Sequence, residues 1–182
     1  DSDLLDFAML VADRLLAGFE DRDHGGFFFT ANDHEKLVHR PKPLADDASP
    51  SGNGVAVEAL RELAVLSGEL RFHDAAERAL AASLGALAQS PYAHVGLLEG
   101  LSTHFEPSEQ LVIRATADDA QAWLGSAFSR YVPGRSVYVV PPDATGLPAG
   151  LADKPGRTGG VVAYRCRAGA CDPPVEAPGQ LV

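Results

Sequence analysis

The spacing of apolar residues changes once along this chain, and that change limits what it can fold into. Up to about residue 105, outside a long connection at 20–50, apolar positions recur every three or four residues, the repeat of helices with one buried side. Beyond that point the apolar runs are short and bounded by polar and turn residues, as in buried strands. The sequence therefore predicts α-helical hairpins over 1–106, followed by a small α/β (β-α-β-β) subdomain over 107–182.

Four helices are expected in the first part. Residues 3–19 place Leu4, Leu5, Ala8, Val11, Leu15, Leu16 and Phe19 on one side, with Asp1 or Ser2 as a cap. Residues 51–67 carry the stripe Val55, Ala56, Ala59, Leu60, Leu63 and Ala64, with Gly68 as the stop. Residues 71–89 bury Phe72, Ala76, Ala79, Leu80, Leu84 and Leu87. Pro91 then interrupts, and residues 92–104 bury Val95, Leu98 and Leu101. Alanine in AAERALAASLGALA favours helix and lets helices approach closely. In the second part, 110–115 and 136–141 read as strands around a helix at 115–132, a β-α-β unit with parallel strands. A third strand is expected at 161–166.

The 15 Lys and Arg against 25 Asp and Glu, a net charge of -10, argue against nucleic acid, which is held by clustered cations. No apolar run approaches the ~20 residues of a membrane span. With no secretory signal in the opening residues and few cysteines, a cytoplasmic protein is expected. The first residue is Asp1 and the chain opens inside an amphipathic pattern, which reads as the C-terminal piece of a longer chain. Cys166 and Cys171 stand alone in CRAGAC. Two reduced thiols beside a turn, a local disulfide and a metal site are the readings open to them, in that order.

Residues 20–50 form a long connection in which GFFFT reads as a short strand and LVHRP as its partner. Loops of this length carry either function or their own hairpin. Asp23, His24, Gly25, Gly26 and Phe27 offer hydrogen-bond acceptors, a backbone free to turn, and an aromatic face for a sugar ring. Lys42, Asp46, Asp47, Ser51 and Asn53 lead into the second helix, whose free N–H groups suit polar ligands. Capping by Ser51 or Asn53, and surface pairing of Arg40 and Lys42 with Asp46 and Asp47, would explain the same residues structurally. His73, His94 and His104 are read as ordinary helical residues. No nucleophile elbow, phosphate loop or dinucleotide fingerprint is present, and no cofactor or metal is expected.

The series GGFFFT, RPKPLADDASPSGNG, an alanine-rich helix pair and AYRCRAGACDPPV resembles the C-terminal part of the YyaL-type proteins, the spermatogenesis-associated, thioredoxin-domain-containing family. The resemblance runs through essentially the whole chain. Its most specific parts are Asp46 to Asn53 and Cys166 to Val175, with Asp47 where the family carries glycine. It implies part of an (α/α) six-hairpin barrel similar to that of N-acylglucosamine 2-epimerases and six-hairpin glycosidases. An upstream thioredoxin-like part would be missing here. The family's activity is poorly defined. The barrel implies a loop-lined saccharide pocket in which Asp46, Asp47 and Asp23 would act as acid and base. His24, Gly25, Gly26, Phe27, Lys42, Ser51 and Asn53 would line it. The alternative is a non-catalytic scaffold for the upstream part. Because four helices make only part of such a barrel, the expected partner is the missing portion of the parent chain or another copy.

Overall fold

The computed structural model describes residues 2–181, with the side chain of Ser2 left out. The chain is mixed α/β with a helical part, and it divides into two compact units, Asp1–His104 and Phe105–Val182.

The first unit holds α1 (Ser2–Gly18), α2 (Gly52–Ser67), α3 (Leu70–Gln89) and α4 (Val95–Phe105). The expected cap at Asp1 or Ser2 rests on a residue and a side chain outside those described. Ser51 caps α2, its hydroxyl accepting the Gly54 N–H at 3.1 Å. Gly68 ends α2 in the left-handed region at φ 77°. The two-residue connection folds α3 back on α2 as an antiparallel hairpin. Leu60, Leu63 and Val57 of α2 meet Phe72, Ala75, Ala76, Ala79 and Leu80 of α3 in one core. Burying a side chain such as Leu60 or Phe72 contributes about 1.5–3 kcal/mol each.

The buried sides differ from those expected at several positions. On α2 Val57 is buried and Val55 is exposed. On α4 Leu97 and Gly100 are buried and Val95 is exposed. Glycines cause both rotations. A Cβ on Gly54 would sit 3.0 Å from the Gly96 carbonyl carbon, and one on Gly100 would sit 2.8 Å from Cγ1 of Val57. The two helices touch along glycine backbone, which turns Val57 and Leu97 inward. On α1, Leu5, Met9, Ala12, Leu15 and Leu16 face the core with Phe19 just beyond its end, while Leu4, Phe7, Leu10 and Val11 are exposed. Leu84 of α3 is also exposed. Pro91 to Ala93 form a 3-10 turn, so α4 begins at Val95. The expected GFFFT strand is absent. Phe27 makes a single antiparallel bridge to Glu20, and the Phe29 N–H donates to the Pro41 carbonyl at 2.8 Å.

The second unit is a sheet of order β2-β1-β3-β4, built from β1 (Glu109–Arg114), β2 (Ser136–Val140), β3 (Val162–Arg167) and β4 (Ala170–Cys171). β1 and β2 are parallel, as the β-α-β reading requires, and β1 and β3 are antiparallel with Leu111 opposite Arg165 and Ile113 opposite Ala163. The connecting helix α5 (Ala120–Ala127) is shorter than expected. The Thr116 hydroxyl donates to the Asp119 carboxylate and holds a turn ahead of it. Arg135 takes the Ala127 carbonyl at 2.5 Å, so the chain leaves the helix there. A one-turn helix α6 (Ala149–Ala152) interrupts the Pro- and Gly-rich loop. Trp123, Ala120 and Ala127 of α5 pack with Leu111, Ile113, Ala163 and Leu181. β1 is buried along its length. Its one acid, Glu109, is neutralised by Arg135 at 2.7 Å, with Arg165 and Arg167 at 3.7 and 3.6 Å.

Cys166 and Cys171 face each other directly across β3 and β4 and form a disulfide, with their Cα atoms 3.9 Å apart. This corrects the reading of two free thiols. The turn at Ala168 and Gly169, at φ 52° and 77°, folds the second cysteine back onto the first.

Candidate functional site

The loop between α1 and α2 is fixed by polar side chains that turn inward onto backbone. Directly after α1, Asp21 and Gly26 close a tight turn, the Asp21 N–H donating to the Gly26 carbonyl at 2.8 Å. Gly25 and Gly26 both lie in the left-handed region. The Asp21 carboxylate accepts the N–H groups of Asp23 and His24 at 3.2 and 3.0 Å. From across the loop, Lys42 Nζ donates to Asp21 at 2.8 Å and to the Gly25 carbonyl at 2.6 Å. The pairing expected of Lys42 with Asp46 and Asp47 is thus replaced by one with Asp21. The Lys42 ammonium, helped by the two N–H donors, holds the Asp21 carboxyl at about 2, well below the usual carboxylate range.

Asn53, in the first turn of α2, ties this turn to the helix. Its Oδ1 accepts the Phe27 N–H at 2.7 Å, and its Nδ2 donates to the Phe27 carbonyl at 3.0 Å and the Pro43 carbonyl at 2.9 Å. One amide therefore satisfies three backbone groups that would otherwise be stranded. Gly26 is required beside it, because a Cβ there would sit 3.0 Å from Asn53 Oδ1.

Asp46 plays the same part between α2 and α4. One carboxylate oxygen accepts the Ser51 N–H at 2.8 Å and the other the Gly96 N–H at 2.9 Å. The Asp46 N–H donates to the Ala93 carbonyl at 2.8 Å. These donors lower the Asp46 pKa, Gly96 first and Ser51 next. Asp46 is therefore a bridge between two helix starts.

The remaining candidates do not converge on one site. Asp23, His24 and Asp47 are exposed, and Phe27 is buried in the helical core at 4% exposure. Phe28 lies beneath cations, with the Arg40 guanidinium 4.1 Å and the Lys42 ammonium 5.6 Å from its ring centre. Phe29 is exposed. The fold thus brings Gly25, Gly26, Phe27, Lys42 and Asn53 into one hydrogen-bonded knot and puts Asp46 and Ser51 into a second.

A general acid needs a carboxyl that keeps its proton near neutral pH. Neither Asp21 nor Asp46 is such a group, since fixed donors stabilise the ionised form of each. The opposite case occurs on α2, where burial and the nearby Glu99 push the Glu58 carboxyl up. One oxygen of Glu58 is buried without a hydrogen-bond partner. Glu58 lies one helical turn before Glu62 and is not among the residues singled out from the sequence. A cavity of about 640 Å³ opens between α1 and α3, lined by Glu20, Arg22, Arg71 and Arg78 among others. None of the expected acids lines it. Its arginines already face acids, Arg78 and Arg22 facing Glu20 at 2.5 and 3.5 Å and Arg71 facing Asp13 and Glu69.

Among the described residues no group of three or more His, Cys, Asp or Glu is arranged to hold a metal ion, and no helix is long and apolar enough to cross a membrane. No family model matches the chain, and no curated protein matches it.

Proposed function

We propose that residues 1–106 are the C-terminal section of an α/α toroid of the YyaL type and that this section is a non-catalytic scaffold. The observation that carries the non-catalytic part of this reading is the commitment of its polar groups, and the toroid part rests on the sequence resemblance. Asp21, Lys42, Asp46 and Asn53 are spent on holding backbone, while Asp23 and Asp47 are exposed. A catalytic pair would instead share a concave site with its carboxyls at different proton affinities. The outward apolar residues of α1, Leu4, Phe7, Leu10 and Val11, form the side that a neighbouring helix of such a toroid, or a second copy, would cover.

Carbohydrate-type chemistry is the second reading, favoured by the exposure of Phe29, Asp23 and His24 in one loop. Titration of mono- and disaccharides by calorimetry separates the two. The scaffold reading expects no heat of binding to the wild-type chain. Saturable binding that is lost in Asp23→Asn or Asp47→Asn, with helicity retained, would replace it with the saccharide reading. A cytoplasmic location belongs to the same proposal, and it requires the Cys166–Cys171 bond to be reversible, since lasting disulfides are rare in that compartment.

A further inference from the structure

We infer that the Cys166–Cys171 disulfide is a thiol–disulfide exchange site that controls how firmly the C-terminal segment is held on β3. Three observations meet here. The first is access from one side, because Cys171 is exposed on the edge strand while Cys166 is 4% exposed. A thiolate can reach the Cys171 sulfur with Cys166 as the leaving group.

The second is that little else holds the hairpin. β4 contributes only the pairs Cys166–Cys171 and Arg167–Ala170. Its turn places Ala168 at φ 52°, a region that disfavours residues bearing a Cβ. The third is what the hairpin leads into. After Cys171 the Asp172 N–H donates to the Arg165 carbonyl at 2.8 Å, and Val175 bridges Ala163 at 2.9 and 2.8 Å. The segment ends with Leu181 fully buried in the core around Trp123. The disulfide thus fastens the near end of a strap whose far end closes that core.

The reaction takes a dithiol as co-reactant. Its first thiolate attacks Cys171 Sγ, the protein S–S bond breaks, and Cys166 leaves as a thiolate that takes a proton from water. The second dithiol sulfur, as its thiolate, attacks the sulfur of the first, forming the cyclic disulfide and releasing Cys171. The protein gains two electrons and two protons, and the dithiol loses them. With the cross-link gone, the hairpin opens more often and the strap with it.

The test treats the folded 182-residue chain with dithiothreitol without denaturant, followed by alkylation and mass measurement, with amide hydrogen exchange on the oxidised and reduced forms. We expect both cysteines to alkylate within minutes. Exchange across 172–181 should then quicken by roughly 10- to 50-fold, the scale set by loop closure over a short cross-link, while β1 and α5 keep their protection. A Cys166→Ser, Cys171→Ser double variant should match the reduced form. If it does not fold, the reduced wild type gives the same reading. Cysteines that resist dithiothreitol until the chain is unfolded would overturn the inference. So would reduction that leaves 172–181 unchanged, or reduction that exposes β1 and α5 equally, which would make the bond a structural staple.

Discussion

Asn53 gives the sharpest test of the idea that this loop is built as a framework. It is 2% exposed and serves Phe27 N–H, Phe27 C=O and Pro43 C=O. Asn53→Ala strands all three. Each buried polar group left unpaired costs about 1–3 kcal/mol, and water can reach the less buried Pro43 side, so the expected loss is about 3–5 kcal/mol. Asn53→Asp keeps the shape but points an oxygen at two carbonyls. Its carboxyl should therefore titrate above the unfolded value of about 3.9. A raised folded pKa means that the folded state binds the extra proton more tightly. The defect of Asn53→Asp is then largest above the folded pKa and shrinks as pH falls through it, because protonation restores a donor. The defect of Asn53→Ala, which adds no titrating group, stays level. Urea unfolding followed by helical circular dichroism measures both, at pH 4.5 and pH 8. The single tryptophan, Trp123, lies in the other unit, so its fluorescence transition is an internal control. A loss below about 1 kcal/mol for Asn53→Ala, or an Asn53→Asp defect that ignores pH, would refute the reasoning.

Two further outcomes follow from the same loop. Gly25→Ala should lower the melting temperature sharply, by the equivalent of about 3 kcal/mol or more, since φ is +77° and a Cβ would overlap the Arg78 carbonyl oxygen. Gly85→Ala, on an open face of α3 with nothing within 4 Å, should raise it. Asp21 has its folded pKa depressed to about 2 against 3.8, so its contribution is present above the unfolded value and is lost as pH falls through about 2. Asp21→Asn should cost about 2 kcal/mol near neutrality and flatten the acid limb of a stability–pH curve, which an unchanged limb would contradict.

The helices were legible because their stop signals are local. Gly68 and Pro91 act on adjacent backbone, and Ser51 caps the N–H three residues on. Which side each helix buries was less legible. Val55 and Val57 are equally apolar, and only the approach of α4 at Gly96 and Gly100 chooses between them. The length and charge of the loop between α1 and α2 mark it as special, but nearness in sequence pairs its charges wrongly. Lys42 instead crosses the loop to Asp21, 21 residues away, and Asp46 reaches Gly96 at the start of α4, 50 residues away, separations that the order of residues does not reveal. The cysteines illustrate the same limit. Their spacing allowed free thiols or a bond, and only the register of β3 with β4 brings the sulfurs together.

The glycine seam between α2 and α4 has a bearing on how variants of this chain should be interpreted. At Gly54 and Gly100 even a methyl group must displace a neighbour, so a saturation screen would find them as intolerant as any reactive residue. Intolerance there would report the thickness of two rods in contact, and chemistry should be sought among positions whose loss spares the melting curve.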